Sequence, residues 1–216
     1  MKILLIDDHP MVLDFYENML ARDFSRNYPQ VIDRGGTCED AYKFIIAASD
    51  KNEHYDLAIL DYSLPSYHEF KTGADIANLL KPEGHHSKVI IITSHVEMLL
   101  VYDIIKKVSP NGIAIKSDVN SASFQLMVES VLKGENYQSP LIKNFVADIW
   151  KKKILADESN RQILIHLAQG YKIKDLENVT HLKSRAIERR INEIRNLFRA
   201  EDNSSLLTAA RKEGFI

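Results

Sequence analysis

Residues 2–9 read KILLIDDH. Four apolar side chains stand in a row, Ile3 to Ile6, and two carboxylates, Asp7 and Asp8, close the run. Consecutive apolar positions put hydrocarbon on both faces of a strand, which is the signature of a central strand in a parallel sheet covered on both sides. Asp8 or His9 then opens a helix with Pro10 in its first turn, where a missing N–H costs little. The same pattern recurs at 57–60 before Asp61, at 88–92 before Thr93, and at 112–115 before Lys116. A more polar run at 30–35 reads as an edge strand. Helical periodicity separates the strands at 39–49, 73–80, 96–108 and 121–134. This alternation predicts a five-stranded, doubly wound parallel α/β sheet over 1–134. In such sheets ligands sit at the carboxyl ends of the strands. Asp7, Asp8, Asp61, Thr93 and Lys116 all fall there.

Beyond Gly134 the alternation stops. Residues 135–156 read as a linker or helix, and 157–216 as an all-helical domain with helices at 160–169, 172–178, 183–198 and 204–213. Length fits two compact domains: 216 residues, 45% hydrophobic and 27% charged. One cysteine, Cys38, cannot form an internal disulfide and is read as packing, so a reducing, cytoplasmic setting is expected. The start, MKILLIDDHP, does not read as a signal peptide. No apolar run approaches the ~20 residues a membrane helix needs. The net charge of −2 hides an asymmetry, because residues 183–199 carry six basic side chains against two acidic. The eight histidines show no metal-ligand spacing, and the adjacent pair His85-His86 reads as a loop after Pro82.

Carboxylates and a lysine gathered at strand ends are what metal-assisted phosphoryl transfer to an aspartate needs. A hard cation such as Mg²⁺ takes oxygen ligands, a lysine neutralises the transferring group, and a hydroxyl bonds one of its oxygens. The segments ILLIDDH, LAILDYSLP, IIITSH and GIAIKSD, in this order, closely resemble the receiver domain of two-component response regulators. That resemblance implies that Asp61 accepts a phosphoryl group from a sensor histidine kinase. It further implies that Asp7, Asp8, Asp61 and the backbone carbonyl of Ser63 hold Mg²⁺, with Thr93 and Lys116 on the phosphoryl oxygens. Two departures stand out. Ile113, three residues before Lys116, replaces the aromatic side chain common there. The loop SYHEFKTG is about four residues longer than usual before Gly73. An aspartyl phosphatase would want a carboxylate two residues beyond its nucleophile, where this chain has Ser63, so the chain is expected not to be an enzyme.

In the tail, Leu182, Ala186, Ile187, Ile191, Ile194 and Phe198 share one helical face, while Arg185, Arg189, Asn192 and Arg195 lie opposite. Such a helix can enter a major groove, where arginine reads guanine and asparagine reads adenine. LAQGY, LKSRAIERRINEI and AARKEGFI resemble the LuxR-type helix-turn-helix domain, and YQSP at 137–140 fits the boundary seen in NarL/FixJ-type regulators. The resemblance implies that Glu188, Arg189 and Asn192 face bases and that Lys183, Ser184, Arg185 and Arg190 meet phosphates. Glu188 stands where a basic residue is common, and Ser159-Asn160 replaces the usual Arg-Glu pair, which would remove a structural ion pair. The function expected is a response regulator and transcription factor that binds double-stranded DNA, pairs as a homodimer when phosphorylated, and touches no membrane. The alternative is a receiver whose degenerate helix-turn-helix acts through protein contacts, as Glu188 and Glu193 suggest.

Overall fold

The computed structural model describes residues 1–24, 30–81 and 87–216. His85-His86 lies outside the described residues. The chain divides into two compact units: Met1–Ser94 with Ile105–Leu141, and His95–Ile104 with Ile142–Ile216.

In the first unit, β1 (Lys2–Ile6), β2 (Val31–Gly35), β3 (Leu57–Asp61), β4 (Lys88–Thr93), β5 (Gly112–Ile115) and β6 (Tyr137–Gln138) form one parallel sheet in the order β2-β1-β3-β4-β5-β6. The expected five strands become six. The extra strand comes from the stretch read as linker, and its pairing is almost wholly backbone. Tyr137 N donates to Asn111 O at 2.8 Å and Ser139 N to Ile113 O at 3.0 Å, so the open edge of β5 finds partners. β3 and β5 are buried throughout, and β1 and β4 are buried after their first residue.

Alternate side chains of the strands build one face. Ile3, Leu5, Ile59, Ile90 and Ile92 meet Leu13, Tyr16 and Leu20 of α1 (Pro10–Phe24) and Phe124, Met127 and Val131 of α5 (Ser121–Leu132). The rings of Tyr16 and Phe124 stack with centroids 5.1 Å apart. On the other face α2 (Cys38–Asp50) packs against β2, and α3 (Gly73–Leu79) against β3 and β4. The sheet reverses its winding between β1 and β3, the place where such folds open a crevice at the strand ends.

Gly73 fixes the start of α3. A Cβ there would lie 1.9 Å from the carbonyl oxygen of Asp61, so only glycine fits, and its N–H donates to Tyr62 O at 2.9 Å. The long loop before it is a built feature. Tyr67 and Phe70 exchange backbone hydrogen bonds of 2.9 Å in both directions, and their rings rest 5.7 and 5.5 Å from that of Tyr42 on α2.

The second unit holds the first part of α4 (Met98–Val108), most of α6 (Pro140–Lys151), and α7 (Glu158–Ala168), α8 (Ile173–Thr180), α9 (Ser184–Phe198) and α10 (Asn203–Lys212). Its core joins Leu99, Ile149, Leu164, Leu176, Ile187, Ile194, Leu206 and Phe215. Gly170, at φ +88°, follows the end of α7 as read from sequence. A buried ion pair lies within this unit. Arg161 Nε donates to Asp103 Oδ1 at 2.6 Å, and Gln162 Nε2 to Asp103 Oδ2 at 2.7 Å. Two more guanidinium donors are used, since Arg161 Nη1 reaches the carbonyls of Leu155 and Ala156 at 3.0 and 2.7 Å.

No helix among the described residues is long and apolar enough to cross a membrane.

Candidate functional site

The carboxyl ends of β1, β3, β4 and β5 deliver the polar side chains that end each apolar run. Asp7 and Asp8 follow β1, Asp61 ends β3, Thr93 ends β4 and Lys116 follows β5. Asp7, Asp61 and Thr93 are buried, while Asp8 is exposed. Lys116 Nζ lies 2.8 Å from Asp61 Oδ2 and 3.0 Å from Asp7 Oδ2. The first contact is a hydrogen bond. The second is an ion pair without hydrogen-bond alignment, so Asp7 Oδ2 is a buried carboxylate oxygen that accepts no hydrogen bond. Ser63 donates its backbone N–H to Asp61 Oδ1 at 3.3 Å.

Two carboxylates sharing one ammonium set the electrostatics. Burial pushes the Asp61 carboxyl above its ordinary range, and the neighbouring Asp7 charge adds to this against the pull of Lys116. Burial works to lower the Lys116 ammonium, but its hydrogen bond to Asp61 and its ion pair with Asp7 outweigh it and hold the pKa above the usual value. The pocket therefore carries excess negative charge on hard oxygens, one of them unsatisfied. That donor set fits a hard divalent cation such as Mg²⁺.

One ligand candidate escaped the sequence reading. Donor atoms of Asp7, Asp8, His9 and Asp61 all lie within 4.8 Å of one another. His9 stands next to the acidic pair, and that adjacency was the available signal. Cys38 is buried, and burial pushes its thiol up, which suppresses the thiolate.

On α9 the predicted contacts separate. Lys183, Arg185, Glu188, Arg189 and Asn192 are exposed. Arg190 is instead tied within the unit, its Nη1 donating to Asn160 Oδ1 at 2.7 Å and meeting Asp157 Oδ1 at 3.0 Å. The ion pair expected to vanish with Ser159-Asn160 is thus supplied by Asp157, with Asn160 bridging. Ser184 gives both its backbone N–H and its hydroxyl to Glu177 Oε1. Lys183, at the N-cap position, makes no side-chain cap, so this carboxylate from α8 caps α9 in its place.

A doubly wound α/β unit with an acidic pocket at its switch point defines the class of this chain. The chain belongs to the response regulator receiver domain family, which its residues 3–112 match. No curated protein sequence matches it. Among solved structures it is similar to RcsB from Salmonella enterica serovar Typhimurium bound to promoter rprA in the presence of the phosphomimetic BeF3⁻, at 17% identity over 97% of this chain and 98% of that one, TM-score 0.61. It is also similar to the two-component response regulator RcsB–DNA complex, at 16% identity over 98% of each chain, TM-score 0.61. Two RcsB dimers bound to two parallel DNAs match at 15% identity over 98% of each chain, TM-score 0.57. At these identities the likeness is one of fold.

Proposed function

We propose that this chain is a phosphorylation-switched response regulator that controls transcription by binding double-stranded DNA. The observation that carries the reading is Asp61, a buried carboxylate held 2.8 Å from Lys116 beside Asp7 and Asp8 at the sheet edge. An Asp61 oxygen attacks the phosphorus of a phosphohistidine on a sensor histidine kinase. The P–N bond breaks, the imidazole leaves, and an acyl phosphate remains on Asp61. Asp7, Asp8, Asp61 and the Ser63 carbonyl would hold Mg²⁺, which would supply positive charge beside the transferring group. Lys116 exchanges its bond to Asp61 for a phosphoryl oxygen, and Thr93 bonds another. Ser63, two residues past Asp61, cannot serve as the carboxylate base of an aspartyl phosphatase, so the phosphate is a stored signal and the chain a phosphoacceptor rather than an enzyme.

The helical unit is the output. Exposed Lys183, Arg185, Arg189 and Asn192 on α9 suit a major groove, with Glu188 among them as a candidate acceptor for a cytosine amino group. Ser184 and Arg190, engaged inside the unit, support the helix and reach phosphates only by exchanging partners. The fold neighbours include DNA complexes and paired dimers of RcsB, in line with a homodimer acting on DNA in the cytoplasm. Exposed Glu188 and Glu193 favour a second reading, docking to a basic protein surface.

Incubation with a small phosphodonor and Mg²⁺ phosphorylates the wild-type chain and leaves Asp61→Asn unlabelled. Equal labelling of both refutes the reading. Fluorescence anisotropy on genomic fragments then separates the outputs: salt-dependent binding weakened by Arg189→Ala supports DNA, and no binding at low salt supports the protein partner.

A further inference from the structure

We infer that His9 is a direct ligand of the acidic pocket, making it a mixed carboxylate–imidazole site that prefers first-row transition divalents such as Mn²⁺ to Mg²⁺. The inference rests on the divalent-cation reading of the site and names the donor that tunes it.

His9 is held in place from both sides of its backbone. Its N–H donates to Asp7 Oδ1 at 3.0 Å, and its carbonyl accepts from Val12 N at 2.9 Å as α1 begins. Pro10 narrows the backbone of the residue before it further. Only the side-chain torsions remain, and they turn Nδ1 onto the carboxylates, 2.6 Å from Asp8 Oδ1 and 3.2 Å from Asp7 Oδ1. A six-coordinate ion with bonds of roughly 2.1–2.2 Å sets neighbouring donors about 3.0 Å apart and opposite ones about 4.3 Å apart. The two His9 contacts bracket the first spacing, and the 4.8 Å span of all four donors needs only a small contraction to meet the second. Asp7 gives the independent sign that something is meant to bind. Its side chain is fully buried, its Oδ1 faces His9, and its Oδ2, 3.0 Å from the Lys116 ammonium, accepts no hydrogen bond.

The chemistry then sets the preference. Mg²⁺ gains little from exchanging a water for an imidazole, whereas Co²⁺, Ni²⁺ and Zn²⁺ bind neutral imidazole well and Mn²⁺, the weakest of the series, still accepts it more readily than Mg²⁺ does. Three carboxylates alone would leave a site for hard ions. A nitrogen at hydrogen-bond distance from two of them tilts it along the transition series.

The test loads the full chain with Mn²⁺ and records pulsed electron paramagnetic resonance, in which a directly bound imidazole imprints a nitrogen-14 modulation on the manganese signal. Wild type shows the modulation. His9→Gln, and His9→Asn, whose amide is a good helix N-cap, retain Mn²⁺ but lose it. The Mn²⁺-over-Mg²⁺ affinity ratio, read by displacement, falls at least about tenfold in both variants. Manganese bound without nitrogen modulation in wild type, or modulation surviving in both His9 variants, overturns the inference while the metal site stands. Mn²⁺ affinity unchanged in Asp61→Asn and Asp7→Asn overturns the site itself, and the inference with it.

Discussion

Replacing Lys116 by Met removes the cation between two buried carboxylates and keeps the hydrocarbon stem. In wild type, Asp7 and Asp61 have side chains 0% and 2% exposed, and both lie within 3.0 Å of the ammonium. Breaking a buried ion pair by deleting one partner costs about 3–5 kcal/mol. The Lys116 side chain is 23% exposed, and Asp61, already pushed toward its neutral form, can take a proton, so the cost falls near the lower end, about 3 kcal/mol. A divalent cation reverses the order of effects. In wild type it must work against the ammonium for the same oxygens. In Lys116→Met that opposition is gone, and even a screened fraction of the ~4 kcal/mol between unit charges at 4 Å raises Mg²⁺ affinity at least tenfold. Saturation at one hundred times the dissociation constant adds about 2.7 kcal/mol to either protein, so at a fixed Mg²⁺ concentration the variant gains more. Urea unfolding followed by circular dichroism across a Mg²⁺ series measures this. The variant should be less stable without metal and recover most of the deficit with it. Equal Mg²⁺ increments in the two proteins, or no deficit without metal, would show that Lys116 and the cation do not share these oxygens.

Two further outcomes are expected. Asp103→Ala strands a buried guanidinium and the Gln162 amide, costing about 3 kcal/mol in the transition reported by Trp150, the single tryptophan, which lies in the second unit. Asp103→Leu combined with Arg161→Leu restores most of that loss, and a double variant no better than the single one refutes the pairing. At the head of α9, the Ser184 hydroxyl and backbone N–H hold the Glu177 carboxyl below its ordinary 4.5. A lowered folded value means the stabilisation is present above the ordinary value and is lost as pH falls through the folded one. Acid titration of α9 amide signals should show this loss in wild type and none in Glu177→Gln, and identical acid profiles would remove Glu177 as the cap.

The sheet and its pocket were legible because one physical rule wrote both. A strand buried on two faces must be apolar at consecutive positions, so the first polar residue after each run is also the first that can leave the core. Asp7, Asp61, Thr93 and Lys116 were therefore marked by position as well as by type. What escaped is what side-chain pattern does not encode. β6 is held by backbone pairing, and Tyr137-Gln138 has no apolar run to announce it. Asp103 reads as one polar break in the apolar stripe of α4, and its partner stands 58 residues further along the chain. Arg190 looks like one more exposed cation until Asp157 and Asn160 are brought beneath it. His9 too is far from Asp61 in sequence, and a search for histidines spaced against one another passes over a histidine whose fellow ligands are aspartates. The illegible elements are thus polar groups whose partners arrive from elsewhere in the fold, and a polar residue that interrupts a helical stripe is best read as a request for such a partner. On α9 this reasoning separates Arg190, satisfied from below, from Arg185 and Arg189, which remain exposed on the surface we propose for DNA.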